Sequence, residues 1–433
     1  MKKSKKIISL LLTSLMVMSL AACGSSKDAS DGGKDETKKL TIWAWDPNFN
    51  IPVMEEAKKI YTEANPGIEI EVVEMAKADV EQKLQTNLAS GVTDGLPDIV
   101  LVEDYNSQKY LQAFPGSFTD LTNSINYDNF ADYKVQLMTL DEKVYGVPFD
   151  SGVSGFFYRT DILEEAGYSA DDVKDITWDQ FIEIGKKVKE KTGKYLLSFD
   201  AADGGLMRVM LQSAGAWYFN EDGSVNLANN DTLIEAVESY KKVVDADIAK
   251  PTSGWTEWVS AFNTGDVASV TSGIWIIGSI KAETSQSGKW MVAPTPRLND
   301  SKSVNASNLG GSSWYVLDSS KNKDTAIDFL NTIYAGDNDF YQTILTNQGA
   351  VGSYTPAQSG SAYSSEDEFF GGQKVFAEMS SWMNDIPAVN YGTYTYEADS
   401  AIMAVVPDVL SGSKTAKEAL ADAETQLKAQ IGE

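Results

Sequence analysis

Between Leu40 and Val102 the apolar residues change their spacing four times, and this alternation restricts the fold more than any other feature of the chain. Leu40-Thr41-Ile42-Trp43 reads as a strand. Val53, Ala57, Ile60, Tyr61 and Ala64 then recur at helical spacing until Asn65-Pro66-Gly67 stops the helix. Ile68, Ile70 and Val72 alternate with Glu69 and Glu71, which predicts a second strand. Val80, Leu84 and Leu88 mark a second helix before Gly91. Ile99 to Val102 is continuously apolar, as a strand buried on both faces must be. Strand, helix, strand, helix, strand implies an α/β fold with crossover helices covering a parallel sheet.

The middle of the chain is more helical. Thr177-Trp178-Asp179-Gln180 has capping-box spacing before Phe181, Ile184 and Val188. Thr232 to Glu235 has it before Ala236, Val237, Tyr240 and Val244, and Thr415 to Glu418 before Leu420, Ala423 and Leu427. Thr325 to Tyr334 reads as a helix after a strand Trp314 to Leu317. The stretches 198–205, 299–307 and the Gly/Ser/Tyr-rich 349–365 read as loops, and no internal repeat stands out.

Composition removes whole classes of chemistry. The chain has 433 residues, no histidine and one cysteine, Cys23. A histidine triad, a histidine metal site, a thiolate zinc site and an internal disulfide are all excluded. The net charge of -26 opposes a nucleic-acid role, which needs a basic surface. No phosphate-loop or dinucleotide fingerprint is present, and no EF-hand pattern asks for calcium, so no cofactor and no metal is expected. Hydrolysis of a sugar would need two opposed carboxylates, but among 62 acidic residues no motif fixes such a pair, so the chain does not read as an enzyme.

The N-terminus carries a targeting pattern. Lys2, Lys3, Lys5 and Lys6 precede a mostly apolar run from Ile7 to Leu20, which is too short for an ordinary spanning helix. Leu20-Ala21-Ala22-Cys23 resembles a bacterial lipobox, which implies a signal peptide over 1–22 and lipid on Cys23. Residues 23–39 then form a tether of Gly, Ser, Lys and Asp without an apolar face. The expected location is the extracellular face of the cytoplasmic membrane, held by lipid, since the acidic body is repelled by an anionic bilayer.

Several segments taken in order resemble the extracellular solute-binding proteins of ABC importers, in their carbohydrate-binding branch. They are the lipobox, Thr41-Ile42-Trp43, Asn65-Pro66-Gly67, Leu96-Pro97-Asp98-Ile99 and Val144-Tyr145-Gly146-Val147-Pro148. Phe157-Tyr158-Arg159 with Asp161 to Gly167 follows, though Arg159 stands where that family more often has asparagine. Gly265-Asp266-Val267-Ala268, Gly273-Ile274-Trp275 and Gly310-Gly311-Ser312-Ser313-Trp314 complete the set. The resemblance implies a two-lobed periplasmic-binding-protein-like fold with a hinged cleft between the lobes. One lobe is expected over 40–147 plus 297–345, the other over 148–296 plus 346–433, with hinges near Pro148 and Pro294-Thr295-Pro296. It also implies a monomer that captures an oligosaccharide and passes it to membrane permease subunits driven by a cytoplasmic ATPase. The alternative is a lipoprotein that binds a polyamine or another cationic small molecule in an acidic, aromatic cleft.

A sugar offers a C–H face to aromatic rings and a rim of hydroxyls to carboxylates, amides and backbone groups. At the end of the first strand Trp45 is favoured over Trp43, with Asp46 and Asn48 in the following loop as hydroxyl partners. Glu103 and Asp104 follow the buried strand, and one of the two should face the ligand. Asp150 follows the first hinge. Trp217, Trp255, Trp275, Trp314, Trp382 and Tyr391 are the candidate aromatic contacts, with a structural role as the alternative for the first four and covering an exposed helix as that for Trp382 and Tyr391, and Gly311 offers backbone amides. Trp178 and Trp290 are assigned to core or surface.

Overall fold

The computed structural model describes residues 38–47, 49–300 and 302–433. The signal, Cys23, the tether up to residue 37 and Asn48 lie outside the described residues, while Lys38 and Lys39, expected at the end of the tether, already belong to the first strand, where they pair with Ile68 and Glu69. Among the described residues, no helix is long and apolar enough to cross a membrane.

Eleven strands are described: β1 (Lys38–Ala44), β2 (Ile68–Glu74), β3 (Ile99–Glu103), β4 (Thr139–Leu140), β5 (Lys143–Val144), β6 (Gly146–Arg159), β7 (Leu197–Asp200), β8 (Ala249–Thr252), β9 (Ser269–Gly273), β10 (Trp290–Pro294) and β11 (Asn308–Val316). The first three are parallel, with β1 between β2 and β3, and helices Asn50–Ala64 and Lys77–Ser90 connect them. This is the crossover arrangement that the changing apolar period predicts. Beyond it the sheet departs from the parallel expectation. β11 runs antiparallel to both β3 and β6, and β9 and β10 run antiparallel to β6. The remaining strands form a parallel pair, β7 with β8, and the hairpin β4–β5.

β6 joins the two ends of the sheet. From Gly146 to Val153 it pairs with β11, and from Ser154 to Arg159 it lies between β9 and β10. All fourteen of its residues are buried. Pro148 therefore sits inside a continuous strand, opposite Ser313. The change of partners falls at Val153–Ser154. There the Ser154 hydroxyl meets that of Thr295 at 2.8 Å and the Ser154 N–H donates to the Ser307 carbonyl. The second expected crossing, Pro294-Thr295-Pro296, thus lies against Ser154 and Gly155, farther along β6 than Pro148.

The β6–β11 ladder is irregular between Gly311 and Asn308 and again at Ser312–Ser313. Gly310 and Gly311 have φ of 83° and 96°, in the left-handed region that glycine adopts without a Cβ penalty. A Cβ on Gly311 would stand 2.6 Å from Asp104 Oδ2, and one on Gly310 would stand 3.3 Å from the indole nitrogen of Trp275. The glycine pair thus threads the strand between a buried carboxylate and an indole.

Local signals account for some helix ends. Thr177 caps Trp178–Thr192 and Thr415 caps Ala416–Ile431, both as complete capping boxes. The box expected at Thr232–Glu235 does not form. Helix Asp231–Asp245 starts earlier, with Asn230 accepting from the Leu233 N–H while its amide donates to the Trp217 carbonyl. The segment 198–205 begins as strand, since β7 occupies it to Asp200, and ends at the first residue of helix Gly205–Ser213. The predicted loop 349–365 holds two short helical turns, Thr355–Ser359 and Ser361–Ser364.

Candidate functional site

A cavity of about 940 Å³ opens beside the β6–β11 crossing, at the large end of the ~300–1,000 Å³ typical of small-molecule sites. Separate parts of the chain build it: the turn after β1, Lys77, the end of β3, Asp150 of β6, Trp255, the segment after β9, the glycine bulge of β11, and the stretch from Leu345 to Phe376.

The turn after β1 supplies Trp45 and Asp46. Asn50, buried in the first turn of its helix, accepts from both of their backbone N–H groups at 3.2 and 3.1 Å. The side chain that might have capped the helix instead fixes the turn that presents the indole. Glu103 ends β3 and faces the cavity, where it takes a hydrogen bond of 2.5 Å from Lys77 and another from the Tyr396 hydroxyl.

The neighbour of Glu103 points the other way. Asp104 is fully buried and pairs with the equally buried Lys134 at 2.6 Å. Lys134 also donates to the Ser312 carbonyl, and Ser313 donates to Asp104. Burial pushes the Asp104 carboxyl up to about 6, against the charge of Lys134. Asp150, on β6, borders the cavity but is 5% exposed, and accepts from the Ser312 N–H at 2.8 Å and hydroxyl at 2.6 Å. Burial raises its carboxyl too, again against Lys134 and the Ser312 hydrogen bonds. Asp104, Lys134 and Asp150 thus form an ionic floor under the glycine bulge.

The aromatic wall comes from the other end of the sheet. Trp275 is half-buried and its indole N–H donates to the Leu309 carbonyl at 2.8 Å, which locks the ring to the start of β11. Trp255 lies 5.9 Å from it, tilted by 36°, and is 56% exposed. Trp258 stands 5.3 Å behind Trp255 and packs on the core. The far rim carries Lys281, paired with Asp367 at 2.6 Å.

Of the residues singled out from sequence, Trp45, Asp46, Glu103, Asp150, Trp255, Trp275 and Gly311 line this one cavity. The others do not. Asp104 is turned into the buried ion pair. Trp314 is fully buried between Phe149 and Tyr334, at ring distances of 5.8 and 5.7 Å. Trp217 and Tyr391 are core residues: their rings are 4.5 Å apart, Trp217 donates to Thr395, and the Tyr391 hydroxyl joins Gln212 and Asn308. Trp382 ends helix Val375–Trp382 and packs on the core away from the cavity. Trp43, Trp178 and Trp290 are buried. Sequence reasoning missed Phe49, Lys77, Lys281, the stretch 345–349, Ala362 and the stretch 365–368. Position 365 closes a stretch that read only as a loop, and nothing in its composition marks it as cavity wall.

Known proteins resemble the chain in sequence and in fold. The family model described as bacterial extracellular solute-binding protein matches residues 56–369. A lactose-binding protein of Rhizobium radiobacter is 55% identical over 91% of this chain and 93% of its own length. An arabinooligosaccharide-binding protein of Bacillus subtilis (strain 168) is 27% identical over 98% and 99%. In structure, the sugar-binding protein MalE from Xanthomonas citri superposes with a TM-score of 0.77 at 17% identity, covering 91% of this chain and 98% of that one. The fold is therefore the two-lobed periplasmic-binding-protein fold.

Proposed function

The chain belongs to the bacterial extracellular solute-binding proteins, and on that premise we propose that it is the sugar-capturing component of an ABC importer. The observation that carries the proposal is the 55% identity to a lactose-binding protein along nine-tenths of the chain. We infer a short neutral saccharide such as lactose as the guest.

The cavity supplies the chemistry such a guest needs. Trp275 and Trp45 offer ring faces to the C–H side of a pyranose. Asp46, Glu103 and the backbone of Gly311 offer acceptors and donors to its hydroxyls. A cationic guest is less well served. Glu103 is already paired with Lys77, Asp367 with Lys281, and Asp150 is held by Ser312. The acids that would attract an amine are thus largely neutralised from within. The reading makes the chain a receptor that returns its ligand uncut.

Two lobes close on the ligand only if it touches both. The proposed lobes are 40–147 plus 297–345 and 148–296 plus 346–433. The hinge is inferred at Val153–Ser154, where β6 changes partners, rather than at Pro148. Lipid on Cys23 would hold this monomeric receptor outside the cytoplasmic membrane, beside permease subunits that carry out transport.

The test is calorimetry of the purified protein against lactose, arabino- and malto-oligosaccharides and a polyamine, each at low and high salt. Lactose should bind with little salt dependence. Binding of the amine alone, weakened by salt, overturns the proposal.

A further inference from the structure

The start of β11 is not held by an ordinary ladder. β11 pairs with β3 only from Ser312 onward, and its register with β6 breaks between Asn308 and Gly311. Leu309 and Gly310 stand in neither register, and the backbone groups of a partly buried strand need partners. Side chains supply them. The Leu309 carbonyl accepts from the Trp275 indole at 2.8 Å, the Gly310 N–H donates to the Tyr105 hydroxyl at 3.2 Å, and the Gly310 carbonyl accepts from the Asn308 amide at 2.8 Å.

The first two of these bonds hold opposite ends of one object. The Leu309 carbonyl and the Gly310 N–H belong to the same peptide unit, which is planar and turns as a whole. Trp275 therefore grips the carbonyl end of that plane and Tyr105 the N–H end. The glycine pair that follows, with φ of 83° and 96°, does not stiffen it, because glycine moves freely in that region. The carbonyl end also has little room: a Cβ on Gly152 or Gly273 would stand 2.3 or 2.7 Å from the Leu309 oxygen. A rotation of this plane carries the indole tether with it.

Tyr105 itself is fixed from outside the cavity. Its ring is 2% exposed and does not line the cavity. Trp217 stacks on it at 5.7 Å with the planes 22° apart, and Tyr391 meets it edge-on at 4.7 Å. The Arg208 guanidinium stands 5.1 Å from the ring centre and is held in turn by Asp203 at 3.1 Å and Asp399 at 3.6 Å. A tyrosine turns about two bonds, so a ring clamped in this way fixes where its hydroxyl stands. Trp217 and Tyr391, which do not reach the cavity, thus act on it through Tyr105.

We propose that Tyr105 is a positioning residue for the saccharide: its hydroxyl pins the N–H end of the Leu309–Gly310 peptide, and the carbonyl end of that peptide sets the Trp275 ring. The proposal rests on the sugar-receptor reading and gives Tyr105 no contact with the guest.

Tyr105→Phe removes the hydroxyl and keeps the ring. Its lactose affinity, measured by calorimetry well below its melting temperature, should fall about fivefold, the worth of one ordinary hydrogen bond. A residue that only supported the fold would lower the melting temperature and leave that affinity at the wild-type value, and this result overturns the proposal. The second arm uses Trp275→Phe, which removes the indole N–H from the other end of the same peptide. Two losses that act through one plane overlap, so adding Tyr105→Phe to the Trp275→Phe protein should weaken binding by less than about twofold. An undiminished loss in that background would mean that Tyr105 does not act through Trp275, and overturns the proposal while the receptor reading stands. Failure of the wild-type protein to bind any saccharide overturns both.

Discussion

Replacing Trp275 by alanine removes a ring that lines the cavity and tests how much of the affinity is stacking. A pyranose laid on one indole face hides about 60–100 Å² of apolar surface, worth about 1.5–2.5 kcal/mol at ~25 cal/mol per Å². That predicts a loss of about 10- to 70-fold in lactose affinity, within the range expected for a central aromatic anchor. The fold should survive, because the ring is half-buried and its single hydrogen bond goes to a strand-end carbonyl, Leu309. Trp275→Phe separates surface from positioning: it keeps a ring but loses the tether to Leu309, so its affinity should lie between wild type and alanine. The assay is isothermal titration with lactose, with far-ultraviolet circular dichroism to confirm folding. A Trp275→Ala protein that is folded and binds within about threefold of wild type would show that stacking on this face contributes little, and the assignment of the aromatic wall would fall.

Two further predictions concern stability. Lys134→Met leaves Asp104 buried without its ion-pair partner, and urea unfolding should show a loss of about 3–5 kcal/mol; a change below 1 kcal/mol would mean that the floor relaxes to admit water. Asp161 is held below the usual aspartate range because, against burial, the Arg159 hydrogen bonds and charge favour its ionised form. A depressed folded-state value stabilises the protein above the unfolded-state value of ~3.8, and this is lost as pH falls through the lower folded-state value. The stability gap between wild type and Asp161→Asn should therefore be full at neutral pH and close below about pH 4; a gap that widens in acid would refute the pair as its cause.

The fold was legible where periodicity is local. The spacing of Val53, Ala57 and Tyr61 or of Ile68 and Ile70 depends only on which face of one element is buried, and those elements form as expected. Topology beyond β3 was not legible, because nothing within β11 records that it pairs antiparallel with both β3 and β6. The site divides in the same way. Glu103 and Asp104 could be reduced to one cavity residue, since adjacent side chains diverge, but only the position of Lys134, thirty residues away from Asp104, decides which. Trp275 and Trp314 carry similar glycine-rich prefixes, yet one meets the cavity and the other is sealed by Phe149 and Tyr334.

The fourteen residues of β6 are shared property of both ends of the sheet. Melting the β9–β10 end would strip the backbone of Ser154–Arg159 of its partners on both sides, and melting the β11 end would do the same to Gly146–Val153 on one side. Neither half can come apart while the other keeps an intact edge. In a calorimeter the described body should absorb heat in one cooperative peak despite having two lobes, and saccharide should move that whole peak upward instead of splitting it.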